Sequence, residues 1–265
     1  MTTHEAPSEQ PVVLRARDVS KRFGGVVALD AVGIEVRAGE ITGLVGDNGA
    51  GKSTFIKILS AVLKPDAGTI EFDGAPVAFA SPADARRAGI ETVYQDLALA
   101  GNMPVWANVF LGRELTRGPR LLNLLDKPRM AAQATEMLGR FSRNMPPIDA
   151  ATAFLSGGQR QAIAIARAAA WGSKLIIMDE PTAALGPAET RSVEEVIVGL
   201  RDRGFAVLII SHNLEQVFRI VDRVWVLRRG RMIGQRLLAE TTPEEIVGLI
   251  TGASTVRRDA PPERP

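Results

Sequence analysis

The sequence predicts an α/β protein built on a parallel sheet, with an antiparallel β region near its N-terminus and an inserted α-helical subdomain. Three observations predict it. Apolar runs of strand length alternate with helical stretches before residue 96 and again after residue 161, the pattern of parallel strands joined by crossover helices. Residues 97–160 lack strand runs and carry helical periodicity, as in Met130, Ala134, Met137, Leu138 and Phe141. A glycine-rich turn joins an apolar strand directly to a helix at residues 46–51.

Residues 12–19 and 33–37 read as strands joined through Phe23-Gly24-Gly25, and 41–45 as a short apolar strand. That strand runs into Gly46-Asp47-Asn48-Gly49-Ala50-Gly51-Lys52-Ser53-Thr54 and then a helix to about residue 63. Pro65-Asp66-Ala67-Gly68 is a turn before a strand at 69–72. Ser81-Pro82 caps a short helix that ends near Gly89, and 90–94 is a further strand. Beyond the helical stretch, a helix to about Trp171 leads to a strand at 175–178. A helix at 188–203 follows with Val193, Val196, Ile197 and Leu200 on one face, then a strand at 205–210 and a helix at 214–220. Residues 224–236 read as a hairpin turning at Arg229-Gly230. Thr242-Pro243-Glu244-Glu245 opens the last helix, with Thr as N-cap and Pro in the first position. The expected organisation is a core of residues 1–96 and 161–251, a helical subdomain of 97–160 and a flexible C-terminal tail of 252–265. The first ten residues are polar and Pro-rich like that tail, and both read as loose termini.

Composition excludes several classes of chemistry. With 46% hydrophobic and 23% charged residues in 265, the chain can bury a sizeable core. It has no cysteine, so no disulfide, thiolate nucleophile or cysteine-ligated metal, and only His4 and His212 as histidines. Lys and Arg total 32 against 30 Asp and Glu, a net charge of +2, which predicts no nucleic-acid partner. No run of about 18 apolar residues exists to span a membrane. The polar N-terminus reads as lacking a signal peptide, so the chain is expected in the cytoplasm.

Three segments carry chemistry. In Gly46-x-x-x-x-Gly51-Lys52-Ser53, backbone N–H groups converge on a phosphate, and glycine lets the backbone come close. The helix N-terminus adds partial positive charge, Lys52 adds a full one for the β- and γ-phosphates, and the Ser53 hydroxyl can ligate Mg²⁺. At Leu175-Ile176-Ile177-Met178-Asp179-Glu180 an apolar strand delivers two carboxylates at its C-terminal end, where open α/β sheets bind ligands. Asp179 would hold Mg²⁺ through water, and Glu180 would orient or deprotonate the attacking water. Leu155-Ser156-Gly157-Gly158-Gln159 starts a helix with a Ser N-cap and two glycines, a second phosphate-sized anion site. Taken alone, the last two are equally compatible with an exposed turn and an ordinary capped helix.

With these three segments in this order, residues 12–251 resemble the nucleotide-binding subunit of an ATP-binding cassette (ABC) transporter, a RecA-like P-loop NTPase core. The resemblance implies ATP and Mg²⁺ as cofactors. It implies that Gly46 to Thr54 wrap the phosphates, with Asp47, Asn48, Gly49 and Ala50 forming the turn. Phe23 falls where the family stacks an aromatic on adenine, and a plain core phenylalanine is the equal alternative. Gln95 matches the glutamine that senses Mg²⁺ and water and faces the membrane partner, and His212 the histidine that contacts the γ-phosphate. The family works as a head-to-tail dimer in which Ser156, Gly157, Gly158 and Gln159 of one subunit close on the ATP of the other. The implied catalytic set is therefore Glu180, His212, Lys52 and Gln95, with Ser53, Gln95 and Asp179 around the metal. One departure stands out: Gly186 replaces an aspartate that in the family helps couple the two sites.

Further segments look most like the ATP-binding proteins of fructose, ribose or xylose uptake. These are Lys21-Arg22-Phe23-Gly24-Gly25-Val26, Ser81-Pro82-x-Asp84-Ala85, residues 89–97 and residues 108–114. The implied role is the ATPase subunit of a bacterial import system for a sugar, paired with a second cassette on the cytoplasmic face of the membrane. It would contact permease subunits directly and an extracytoplasmic sugar-binding protein indirectly. A soluble non-transport ABC ATPase, or an importer subunit for another solute, shares the same motifs. A metabolic kinase or GTPase would not need residues 155–159.

Overall fold

The computed structural model describes residues 10–117, 124–141 and 145–253. Two sheets share one core. The first is antiparallel, in the order β2-β1-β4-β5, formed by β1 (Val12–Phe23), β2 (Val26–Arg37), β4 (Ala67–Phe72) and β5 (Ala75–Val77). The second contains β3 (Ile41–Val45), β6 (Ile90–Val93), β9 (Leu175–Asp179), β10 (Ala206–Ile210), β11 (Arg223–Arg228) and β12 (Arg231–Leu237). Its order is β12-β11-β3-β10-β9-β6, parallel throughout except for the β11–β12 hairpin. The expected α/β class with an antiparallel N-terminal region is borne out.

The helices are α1 (Lys52–Leu59), α2 (Pro82–Ala88), α3 (Val105–Phe110), α4 (Lys127–Gly139), α5 (Gly157–Ala170), α6 (Pro187–Arg201), α7 (Leu214–Ile220) and α8 (Pro243–Thr251). Several begin where side chains pre-empt the orphan N–H groups of a first turn. Ser81, Asn213 and Thr242 accept from Asp84, Gln216 and Glu245 respectively.

Alternation within each parallel strand builds two cores. Leu175 and Ile177 of β9 face the antiparallel sheet together with Leu44, Leu208, Ile210, Phe55 and Leu29. Ile176 and Met178 face the opposite way, onto Ile165, Val193, Ile197 and Val217. Strands covered on both faces are almost wholly apolar, with Thr42 the one polar side chain, which is why 41–45, 175–178 and 205–210 stand out as runs. A third core holds the helical segment: Val105, Val109, Phe110, Met130, Ala134 and Leu138 pack on Leu155, Ile163 and Ala166. Helix α5 therefore belongs to two cores, through Ala162, Ile165 and Ala168 on one side and Ile163 and Ala166 on the other. It runs straight through the expected 160/161 boundary.

Several expectations need correction. The N-terminal hairpin is longer than residues 12–19 and 33–37: β1 reaches Phe23 and β2 starts at Val26, with Phe23 paired to Val26. Asp18 and Ala31 have positive φ and the register shifts there, which breaks the two-residue alternation that marks a strand. Helix α1 stops at Leu59, where Ser60 caps it and Ala61 turns left-handed. The helical segment does contain a ribbon, β7 (Thr116–Arg117) with β8 (Leu124–Leu125), too short to make a sequence pattern. The expected loose termini lie outside the described residues, apart from 10, 252 and 253.

Candidate functional site

The strand order decides the site. Strands β3, β10, β9 and β6 are neighbours with parallel register, so their C-terminal ends lie side by side. Gly46 follows β3, Ser211-His212 follow β10, Asp179-Glu180 end β9, and Gln95 lies two residues beyond β6. Four segments spread across residues 46–212 thus meet at one sheet edge, the ligand-binding edge of open α/β sheets.

In the glycine-rich turn, Lys52 is buried and its Nζ donates to the carbonyls of Gly46 at 2.6 Å and Asp47 at 2.9 Å. The ammonium therefore folds the turn around itself. Burial pushes Lys52 below the ordinary lysine value, while Glu180, Asp47 and Asp179 pull it back up. Gly51 caps α1 with φ 109°, and a Cβ there would lie 2.7 Å from the Ala28 carbonyl oxygen. A Cβ at Gly46 would run into the Leu227 carbonyl. Asp47, Asn48, Gly49 and Ser53 are exposed, Thr54 half-buried and Ala50 buried. Gly46→Ala is expected to lower stability by at least about 2 kcal/mol through this clash, read as a fall in Tm.

The carboxylate pair is held by the strands beneath it. Asp179 pairs in register with Ile210, and the Glu180 N–H donates to the Ile210 carbonyl at 2.9 Å. Glu180 adopts φ 50°, an unusual conformation for a residue with a side chain, costing about 1–3 kcal/mol. The strain swings its carboxylate onto His212, whose Nδ1–H donates to Oε1 at 2.7 Å. Burial, then the neighbouring Glu180, pushes the Asp179 carboxyl up, against the pull of Lys52 and Lys57. The His212 turn is fixed from below: Ser211 Oγ donates to Gln216 Oε1 at 3.1 Å and accepts from the Asn213 N–H at 3.0 Å. Gly46, Asp47, Asn48, Ser211 and His212 line a cavity of about 300 Å³.

Phe23 stands at the β1–β2 hairpin tip, 47% exposed, so it is not a core residue. The Lys21 ammonium lies 5.7 Å from its ring centre, held also by Asp66 at 2.7 Å. Gln95 is exposed. The chain just beyond it is pinned by Arg167, which donates to the Leu97 and Ala98 carbonyls.

The Ser156–Gln159 turn lies elsewhere. Ser156 caps α5 and forms a reciprocal capping box with Gln159. The turn before it is stapled by fully buried Asn108, which bonds Ala100, Met103 and Thr152. Ser156, Gly158 and Gln159 line a separate cavity of about 480 Å³ with Glu189 and Ser192. The same chain therefore does not bring Ser156–Gln159 into the cavity of the glycine-rich turn. Sequence reasoning missed Ser211, Gln216 and Glu189, which act through contacts across elements. The spacing Gly186-Pro187-Ala188-Glu189, a Pro and a Glu in the first turn of a helix, was the signal for the last.

Comparison with known proteins places this arrangement. Residues 29–183 match the ABC transporter family. A xylose/arabinose import ATP-binding protein of Sulfolobus acidocaldarius is 47% identical over 239 residues, covering 90% of this chain and 94% of that protein. A fructose import ATP-binding protein of Rhizobium meliloti is 45% identical over 256 residues, covering 95% and 98%. Among solved structures, a nucleotide-free ATP-binding cassette from an ABC transporter superposes with a TM-score of 0.75 at 29% identity, covering 91% of this chain and 96% of that one. A dimeric cassette in a post-hydrolysis state bound to ADP and Pi gives 0.69 at 25% identity, covering 85% and 98%. With its glycine-rich turn, paired carboxylates and histidine on one sheet edge, and a family match across more than half its length, the chain belongs to the ABC transporter family as an ATP-binding cassette.

Proposed function

We propose that this chain is the ATP-hydrolysing subunit of an importer for a sugar, with a monosaccharide as the solute class. The observation that carries the ATPase reading is the meeting of Lys52, Asp179, Glu180 and His212 at adjacent strand ends. The solute class rests on the import proteins for xylose or arabinose and for fructose to which the chain is similar.

In this reading the N–H groups of residues 46–54 and the Lys52 ammonium bind the triphosphate, and Phe23 offers its exposed face to adenine. Glu180 takes a proton from the water that attacks the γ-phosphate in line, and ADP leaves. His212 steadies that carboxylate through Nδ1, and its ring lines the cavity of the glycine-rich turn, where it would meet the transferred phosphoryl oxygens. The residues fit Mg²⁺. Asp179 is a carboxylate whose burial disfavours its charge unless a cation is near, and the Ser53 hydroxyl is exposed at the start of α1. Among the described residues no cluster of three or more His, Cys, Asp or Glu could hold a metal, which suits an ion held by one carboxylate plus substrate phosphates. Ser53, Asp179 and Gln95 would hold it, and bound Mg²⁺ would neutralise charge on the phosphates. Ser156, Gly157, Gly158 and Gln159 serve the ATP of a second cassette. A paired assembly has a precedent in the similar dimeric cassette.

Among the described residues no helix is long and apolar enough to cross a membrane. In this reading permease subunits hold the chain at the cytoplasmic face of the membrane. A groove of about 410 Å³ supports a docking place beside Gln95. Its wall includes Arg113, which stacks 4.8 Å over Trp171 and pairs with Glu91 at 3.0 Å. Half-exposed Leu111 lies on the same wall, whereas Asn108 of the same segment is buried structure. The sugar meets the binding protein and permease, not this chain. The test is reconstitution of the chain with its permease and binding protein in vesicles: ATP on the chain's side is expected to drive sugar accumulation. ATP hydrolysis with no retention by any permease would assign it to non-transport cassettes.

A further inference from the structure

Glu189 is the third residue of α6. Its Oε2 accepts the Gly186 N–H at 3.3 Å, closing the start of its own helix. Its Oε1 does something that α6 does not require. It crosses to α5 and accepts the Gly158 N–H at 3.3 Å, 31 positions away. The nearby Ser156 hydroxyl and the Gly158 and Gly186 N–H groups hold Glu189 below the usual carboxylate range. The stem of the side chain covers the turn as well. A Cβ at Gly158 would lie 2.8 Å from the Glu189 Cβ, and one at Gly157 would lie 2.9 Å from Leu185 Cδ2. The first turn of α5 thus already carries an anion, built in from the neighbouring helix.

We propose that Glu189 is a further residue of the second anion site, where its carboxylate competes with the γ-phosphate of the opposing subunit's ATP for the Gly158 N–H. This rests on the reading that Ser156 to Gly158 meet that phosphate. A carboxylate and a phosphate on the same donor repel, and like charges brought together at an interface oppose its closing. Closing the paired site therefore includes moving Glu189 off Gly158. Gly186 contributes no side chain to this corner, and a Cβ there would meet nothing within 4 Å, so the start of α6 has space to give. Glu189 belongs to the same segment as Glu180, so release of the carboxylate ties the signature turn to the stretch that carries the chain's own catalytic base.

The experiment measures ATP-driven dimerisation by size exclusion with light scattering, in a Glu180→Gln background that slows turnover. Adding Glu189→Gln keeps the size and the hydrogen-bonding oxygen but removes the charge. It is expected to lower the ATP concentration for half-maximal dimer by about tenfold. Glu189→Ala is expected to shift it in the same direction and serves if the glutamine variant does not fold. A merely structural cap predicts the opposite, a lower Tm and more ATP required. A normal parent dimer with an unchanged or raised ATP requirement in the Glu189 variants overturns the competition alone. Absence of any ATP-driven dimer in the Glu180→Gln parent overturns the paired-site reading, and the competition with it.

Discussion

Lys52→Ala is expected to lower ATP hydrolysis at least about 100-fold, the scale of losing one preorganised charged donor at a transition state. ATP-driven uptake is expected to disappear with it. Two effects act together. The variant loses the charge aimed at the β- and γ-phosphates. It also loses the two bonds by which Nζ gathers the Gly46 and Asp47 carbonyls, so the turn itself loosens. The folded core should survive, because the Lys52 ammonium serves the turn while Phe55, Ile56 and Leu59 of the same helix pack the interior. A steady-state phosphate-release assay with a melting curve on the same preparation separates loss of activity from loss of fold. Hydrolysis at the parent rate in a folded Lys52→Ala protein would refute the phosphate-binding role of residues 46–54.

Glu180→Gln is the second large effect. The amide retains the size of the side chain and can still accept from His212 Nδ1, but it cannot take the proton of an attacking water. Loss of a general base of this kind costs about 100- to 10,000-fold in rate. Binding of ATP should persist, so the variant is expected to accumulate as an ATP-loaded dimer with little turnover. Filter binding of labelled ATP alongside phosphate release checks both halves. Unchanged hydrolysis in this variant would sink the assignment of Glu180 as base and move the role to another group at the sheet edge.

The parallel sheet and the order of its helices were legible because burial on both faces leaves 41–45, 175–178 and 205–210 with no polar side chain but Thr42. Residues 46–54 and the end of β9 were legible because their chemistry is local: glycines, one lysine and two carboxylates adjacent in sequence. What was not legible depends on contacts between distant elements. The hairpin length was hidden by the left-handed residues Asp18 and Ala31, whose side chains give no sign of it. The Glu180–His212 bond depends on β9 and β10 being neighbours and on the positive φ of Glu180. Asn108 reads as one more polar residue in an apolar helix until its burial and its bonds to Ala100 and Met103 are seen. Glu189 reads as a helix-starting acid, and nothing local marks its second bond to Gly158.

Helix α5 is a wall common to two cores, since Ile165 and Ala168 face one while Ile163 and Ala166 face the other. A segment that can be exchanged between relatives like a cartridge has to carry its own walls, and this one borrows a wall from its host. Cutting at 97 and 160 would sever α5 after its first turn and part Val105, Met130, Leu138 and Leu155 from Ile163 and Ala166. Helical segments can therefore be traded among relatives only together with α5, so a graft carries the Ser156–Gln159 turn along with whatever surface it was meant to transfer.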